Sequence, residues 1–471
     1  MSRFKPSRGL EPAPVHAYGA PFSAAATTAL ASPPETADQA ASEDPKRRVR
    51  VTDMAGTLGF IALCVSWLSG SLNDWFTMLF HTPAYVSTVL VPLLPIFWLF
   101  TKNRFAGLDH KIGRWWVAFI ILLFMAAPFS VWRTGTLNLL LSYVTRSYVL
   151  FFFATAFVIG IGRCRTLLFT MIGVDVLVLL TCLQFGTTSS DNRLYVRSSL
   201  FFGNSNELAM QLLLGITQFT YLLYGKGVVK KVFAGGCIVL SLIYMLRTGS
   251  RGCLLGACAY ALLLIFTSRN RFLVIAICSL ALLFGIAFVP SATIGRLKLI
   301  DFDEAQFQAG ADVGAIESGM ERKELLRVSL LQTIKHPLFG VGPGQFPVAV
   351  AGEKEKKGEH AEWLGTHNSY TQISAECGIP AFIFYVGIIV MSLVVNYRLY
   401  RATKDNPQLA QFSNFGYTML SSCLVYAFCT FFFHAAYTGV LPTLSGLTVA
   451  AYLAARPLIS DKKKTPEAAA A

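Results

Sequence analysis

His367 and Asn368 stand together in the string THNSYTQISAECGIP, where a long polar stretch gives way to an apolar one. An imidazole takes a proton near neutral pH without large tuning, so His367 is the first candidate for general-base chemistry. Glu376 follows nine residues on and is a candidate neighbour. A second set of residues is suited to an anion. Arg133, Arg146, Arg193, Arg197, Arg247 and Arg251 all fall near the ends of apolar segments on one predicted side, and no Lys accompanies them. Arg presents a planar fork of donors that matches two phosphate oxygens, whereas Lys is a point charge. Arg247 and Arg251 share the turn RTGSRG, where Gly249 and Gly252 let the backbone approach a ligand and Ser250 adds a hydroxyl. Two cations this close repel unless an anion lies between them. Snorkelling, or pairing with Asp74 or Asp191, is the plainer reading of any single Arg. For all six together, an outward-facing anion site is the better one.

Two further stretches flank these groups. RSSLFFGNSNELA (197–209) leads into an apolar segment, with Asn204, Ser205 and Asn206 available to cap a helix whose N-terminus would attract an anion near Arg197. ERKELLRVSLLQTIKHPLFGVGPGQF (321–346) reads as an amphipathic helix followed by a turn. Leu325, Leu326, Ser329, Leu330 and Ile334 fall near helical spacing, and Arg327 lies on the polar side. Pro337, Gly340, Gly342, Pro343 and Gly344 then force irregular backbone. These glycines are not a nucleotide fingerprint, because no strand precedes them and no helix clearly follows. The ten cysteines are scattered, mostly within apolar segments, and none has metal-site spacing.

The elements that must position these residues are membrane spans. The chain has 471 residues, 54% hydrophobic and 14% charged, with a mean hydropathy of +0.53. A soluble protein of this length carries nearer a quarter charged residues. Apolar windows give about twelve spans, at 54–70, 83–101, 115–132, 147–162, 166–186, 206–224, 230–246, 252–267, 272–289, 379–397, 413–433 and 439–455. With the N-terminus inside, every inner connection is basic, while the short outer connections at 71–82 and 434–438 carry no Lys or Arg. The net charge of +14 therefore reads as topology-setting charge and contact with anionic lipid, not as a nucleic-acid surface. The predicted fold is an all-α polytopic membrane protein, with spans 1–9 over 51–289 and spans 10–12 over 379–456. Between them lies one large, mostly helical periplasmic loop, 290–378. Residues 1–50, rich in Ala, Pro, Ser and Thr, are expected to be a disordered cytoplasmic tail, and 457–471 a second cytoplasmic tail.

The order H-N, nine residues, G (His367, Asn368 and Gly378) resembles the signature of O-antigen ligases and related Wzy-like polymerases. RTGSRG, the HPLFGVGPGQF turn and the position of the long loop are similar to that family too, over about residues 50–456. The resemblance implies a bacterial inner-membrane glycosyltransferase. It would move a glycan from undecaprenyl pyrophosphate to an acceptor hydroxyl, such as that of lipid A-core, on the periplasmic face. It implies His367 as base, Arg197, Arg247, Arg251, Arg327 and Asn368 on the substrates, and neither metal nor other cofactor. The implied partners are the lipid-linked donor, a glycan acceptor and membrane lipids, with no nucleic acid. The long loop holds few aromatics for stacking on sugar, Trp363 and Tyr370 being the clearest. Ligases, polymerases and protein O-oligosaccharyltransferases share these features, so a polymerase joining repeat units stays open. A twelve-span transporter is the alternative of another class. It is weakened by the lack of a convincing repeat between the halves and by the scarcity of acids inside spans, Asp175 being the main exception.

Overall fold

The computed structural model describes residues 53–82, 86–189, 192–196, 204–291, 293–294, 313–358, 360 and 363–468. The expected N-terminal tail, Arg197 and part of the long loop lie outside these described residues. The first half of the chain forms α1 (Met54–Phe80), α2 (Val86–Leu90), α3 (Leu93–Phe100), α4 (Lys111–Ala126), α5 (Arg133–Tyr143), α6 (Val149–Phe157) and α7 (Gly160–Phe185). A two-stranded antiparallel hairpin, β1 (Gly186–Thr188) and β2 (Leu194–Val196), follows and is the only sheet among the described residues. Then come α8 (Ser205–Leu223), α9 (Val228–Arg247), α10 (Arg251–Thr267) and α11 (Arg271–Ala287). The long loop contributes α12 (Val313–Lys335) and α13 (Phe346–Lys356). The chain closes with α14 (Ser369–Thr403), α15 (Ala410–Cys429) and α16 (Val440–Ala468).

Six helical stretches are long and apolar enough to cross a membrane: Met54–Phe80, Lys111–Phe129, Arg133–Phe157, Gly160–Phe185, Val228–Arg247 and Ser369–Thr403. Arg251–Thr267 and Arg271–Ala287 are shorter apolar helices. The fold class is accordingly an all-α membrane protein. Several boundaries differ from the apolar windows. α1 continues ten residues past the predicted end of span 1, through the stretch expected to connect spans. The predicted second span is broken at Val91–Pro92 into α2 and α3, since Pro92 cannot donate to a preceding turn. The predicted fourth span is displaced toward the N-terminus, running from Arg133 through a π-helical turn at Val144–Tyr148. α14 starts at Ser369, ten residues before the window that predicted it. α16 runs to Ala468, into the expected tail.

Helices of this type gain little from hiding apolar surface among themselves, so polar and small side chains supply much of the specificity. Trp116 of α4 donates to Ser445 of α16 at 2.9 Å, Asn396 of α14 to Thr448 of α16 at 2.8 Å, and Thr217 of α8 meets Ser422 of α15 at 2.7 Å. Tyr385 and Tyr426 join α14 to α15 through their hydroxyls at 3.0 Å. Asp175 of α7 is held by the Gln211 amide of α8 at 2.7 Å. The Trp116–Ser445 and Thr217–Ser422 contacts tie helices far apart in sequence. Large rings, Trp116, Phe119, Tyr385 and Tyr426 among them, fill the space between, fully buried.

In the long loop, α12 seats itself differently from its leucine spacing. Leu325, Ser329, Gln332 and Thr333 are buried, while Leu326, Leu330 and Ile334 are exposed. The reason lies in the partner: Thr333 bonds Ser374 at the start of α14 at 2.8 Å, a close polar contact that leucines could not make.

Candidate functional site

A break in α14 fixes the geometry. Gly378 has φ 83° and ψ 173°, and Pro380 follows, so the helix is interrupted nearly three turns after Asn368. Into that gap docks the Pro337–Gln345 turn. Val341 N–H donates to the Ala375 carbonyl and Gly342 N–H to that of Glu376, both at 2.9 Å, and Ile379 N–H donates to the Pro337 carbonyl at 2.8 Å. Gly340 has φ 66°, and a Cβ there would collide with the Glu376 carbonyl; a Cβ on Gly378 would collide with the Leu338 carbonyl. Only glycine allows both the conformation and the approach. Glu376, 3% exposed, accepts from Gly344 N–H at 2.8 Å and from the Tyr437 hydroxyl at 2.7 Å. The expected neighbour of His367 is therefore an anchor for the glycine turn.

The His-Asn pair has a conformational logic. Asn368 is the N-cap of α14, its side-chain oxygen accepting from Tyr370 N–H at 2.9 Å and Thr371 N–H at 3.2 Å. His367, just before the cap, sits in the left-handed region at φ 49°, a conformation that non-glycine residues adopt mainly where surroundings impose it. Ser369, wholly buried, supplies that imposition. Its N–H donates to the Thr430 carbonyl at 2.8 Å; its hydroxyl donates to the Phe433 carbonyl at 2.9 Å and accepts from Ala435 N–H at 2.7 Å. These bonds clasp the α15–α16 connection on both sides of His434.

His434, which carried no signal in the sequence, thus arrives beside His367. Their ring centroids are 5.3 Å apart, with planes at 55°. Burial pushes the His367 imidazole down to about 4, with further contributions from His434 and the Arg322 guanidinium. His434 is also lowered by burial, against an upward pull from the Glu207 carboxylate. Both rings are thereby held neutral, the form that accepts protons.

The arginines divide. Arg193, carried by the hairpin, donates through Nε to the Thr248 carbonyl at 2.8 Å and through Nη2 to Asn206 Oδ1 at 2.7 Å, so the hairpin lies on the RTGSRG turn. Arg247 closes α9 with a buried Nε that has no hydrogen-bond partner among the described residues. Arg251 opens α10, half-buried. Arg322 of α12 lies within electrostatic reach of both His367 and Cys253, the latter two residues past Arg251, and so connects the two motifs. Arg327 instead is exposed and pairs with Glu324 at 3.4 Å. Arg322, one turn earlier, is the α12 cation nearer the histidine, a choice that leucine spacing alone did not reveal.

Arg146 stands in the π-helical turn, an irregularity often found at functional positions. It lines a cavity of about 400 Å³ between α1, α6, α7, α8 and α16. The lining is mostly apolar, with Leu63, Phe153, Met210 and Leu444 inside. Arg146 and Glu207 add charge, and Phe433 and Ala435 flank His434. An apolar chamber thus holds a cation and a carboxylate, and its wall includes the residues on either side of His434. Among the described residues, no group of three or more His, Cys, Asp or Glu is placed to hold a metal.

No curated protein matches this sequence. Residues 236–386 match the family model described as O-antigen ligase, a segment running from α9 through RTGSRG and the long loop to Gly378 and beyond; over that third of the chain the sequence is similar to the O-antigen ligase and Wzy-like superfamily.

Proposed function

We propose that this protein transfers a glycan from undecaprenyl pyrophosphate to an acceptor hydroxyl at the periplasmic face of the bacterial inner membrane. The observation carrying the proposal is the Arg146-lined apolar cavity, whose wall includes Phe433 and Ala435 on either side of His434, the ring that faces His367. A lipid-linked pyrophosphate needs an apolar berth, cations at its mouth and a proton acceptor beyond them, in that order. The cavity takes the first isoprenoid units. Arg146, Arg247 and Arg251, with Arg197, meet the pyrophosphate and stabilise the charge it gains on leaving. His367 accepts the acceptor's proton as its oxygen forms the new bond to the anomeric carbon and the carbon–oxygen bond to phosphate breaks. Asn368 serves by capping α14 and setting His367's position.

Twelve crossings complete the topology we propose, with α2–α3, α8, α10, α11, α15 and α16 joining the six long apolar stretches. Both termini are cytoplasmic, 290–378 lies outside as a cover over the site, and 1–50 and 457–471 are tails. The basic inner connections support this orientation. A ligase delivering finished polymer to lipid A-core fits best, and a polymerase joining repeat units shares every residue named. Removing the protein from its host and analysing surface glycan separates them. Loss of long polysaccharide with accumulated lipid-linked polymer identifies the ligase; accumulated single repeat units identify the polymerase. Unchanged surface glycan refutes both.

A further inference from the structure

We propose that His434 is a proton-relay partner that positions His367 and receives the proton His367 takes from the acceptor hydroxyl. The inference rests on the transferase reading above. Three observations carry it. The rings lie 5.3 Å apart by centroid, a separation that one N–H···N bond or a bridging water closes after a small rotation. His434 Nδ1 is buried with no hydrogen-bond partner among the described residues, although a buried imidazole nitrogen ordinarily has one. Gly365 packs on that nitrogen so closely that a Cβ would lie 3.1 Å from it, so the chain entering His367 is shaped around the second ring.

Charge explains why a second ring is needed. His367 next to the Arg322 guanidinium is a poor place to leave a cation. His434 faces His367 and lies within electrostatic reach of the Glu207 carboxylate, from the first turn of α8. The acceptor O–H bond breaks as the new carbon–oxygen bond forms, and the pyrophosphate leaves with the electron pair of the bond it loses. The proton passes to His367, then to His434, where Glu207 balances it until it is released to water. A proton left on His367 would stay within reach of the Arg322 guanidinium; on His434 it has a carboxylate.

The test is transfer by the purified full chain with lipid-linked glycan as donor, comparing wild type, His434→Gln, His434→Ala and His367→Ala. His434→Gln is expected to lose about 10–100-fold in kcat with little change in donor KM. The acid limb of its pH–rate profile is expected to move to higher pH, because one of the influences depressing His367 is gone. Added imidazole is expected to restore part of the activity of His434→Ala and none of that of His434→Gln, whose side chain fills the site. Wild-type turnover in His434→Gln, or an equal loss at every pH without imidazole rescue, overturns the relay. Should neither variant fold, Gly365→Ala wedges a methyl against Nδ1 while keeping both rings, and unchanged kcat there overturns it too. Full transfer by His367→Ala would instead remove the transferase reading itself.

Discussion

Replacing Ser369 with Ala removes one oxygen from a site with no solvent exposure. That oxygen makes two hydrogen bonds, to the Phe433 carbonyl at 2.9 Å and from Ala435 N–H at 2.7 Å. Both backbone groups are in buried residues and would lose their partner. An unsatisfied buried group costs about 1–3 kcal/mol, so the pair costs about 2–6 kcal/mol if no water enters, with little packing lost because Ala occupies nearly the same space. The cost falls on one joint, the clasp that holds His434 beside His367. At about 1.4 kcal/mol per tenfold in an equilibrium constant, it is enough to make the displaced loop a populated state. The expected outcome is a fall in kcat of at least tenfold, a smaller change in donor KM, and a melting temperature lower by a few degrees. Thermal unfolding of the detergent-solubilised protein and steady-state transfer measure these. A variant that melts with the wild type and turns over at its rate would refute the claim that Ser369 positions the two rings.

Other expectations follow from the same geometry. His367 is depressed from 6.5 to about 4 by burial, His434 and Arg322, so kcat/KM is expected to run flat through pH 6.5 and to fall only near pH 4–5; an inflection at 6.5 would contradict it. The linkage has a definite sign. Below about pH 6.5 the unfolded chain protonates this histidine while the folded chain does not, so its contribution to stability declines as pH falls from 6.5 to about 4 and is constant above. Gly378→Ala sets a side chain at φ 83°, ψ 173° against the Leu338 carbonyl, an essentially glycine-only conformation. It is expected to cost about 1–3 kcal/mol in strain alone and to expose the Pro337–Gln345 turn to protease. Arg251→Lys and Arg247→Lys are expected to raise donor KM, since a point charge does not reproduce a fork; normal transfer by both would remove the bidentate argument.

The apolar windows located helices well because burial in lipid demands a continuous apolar run that sequence displays directly. The breaks at Val91–Pro92, Val144–Tyr148 and Gly378 were harder, since each depends on what packs against the helix. His367 and Asn368 stood out because a polar pair at the edge of an apolar segment is conspicuous, and Asn before a helix start is a local capping signal. His434 did not. It is a single polar residue in a short connection, and its meaning comes from Ser369, 65 positions earlier. Glu376 misled for the converse reason: nine residues from a histidine looks near along the chain, but its partners are Gly344 and Tyr437. Arg193 and Arg322 needed the hairpin and the turned face of α12 before their positions could be known.

The central claim is that His367 receives the acceptor's proton during transfer from a lipid pyrophosphate. The most direct measurement is single-turnover transfer from lipid-linked glycan by His367→Gln against wild type, with donor binding and melting temperature followed in parallel. The expected result is a loss of about 100-fold or more in the transfer step, with donor binding and stability retained. Transfer at the wild-type rate by a folded His367→Gln protein would contradict it.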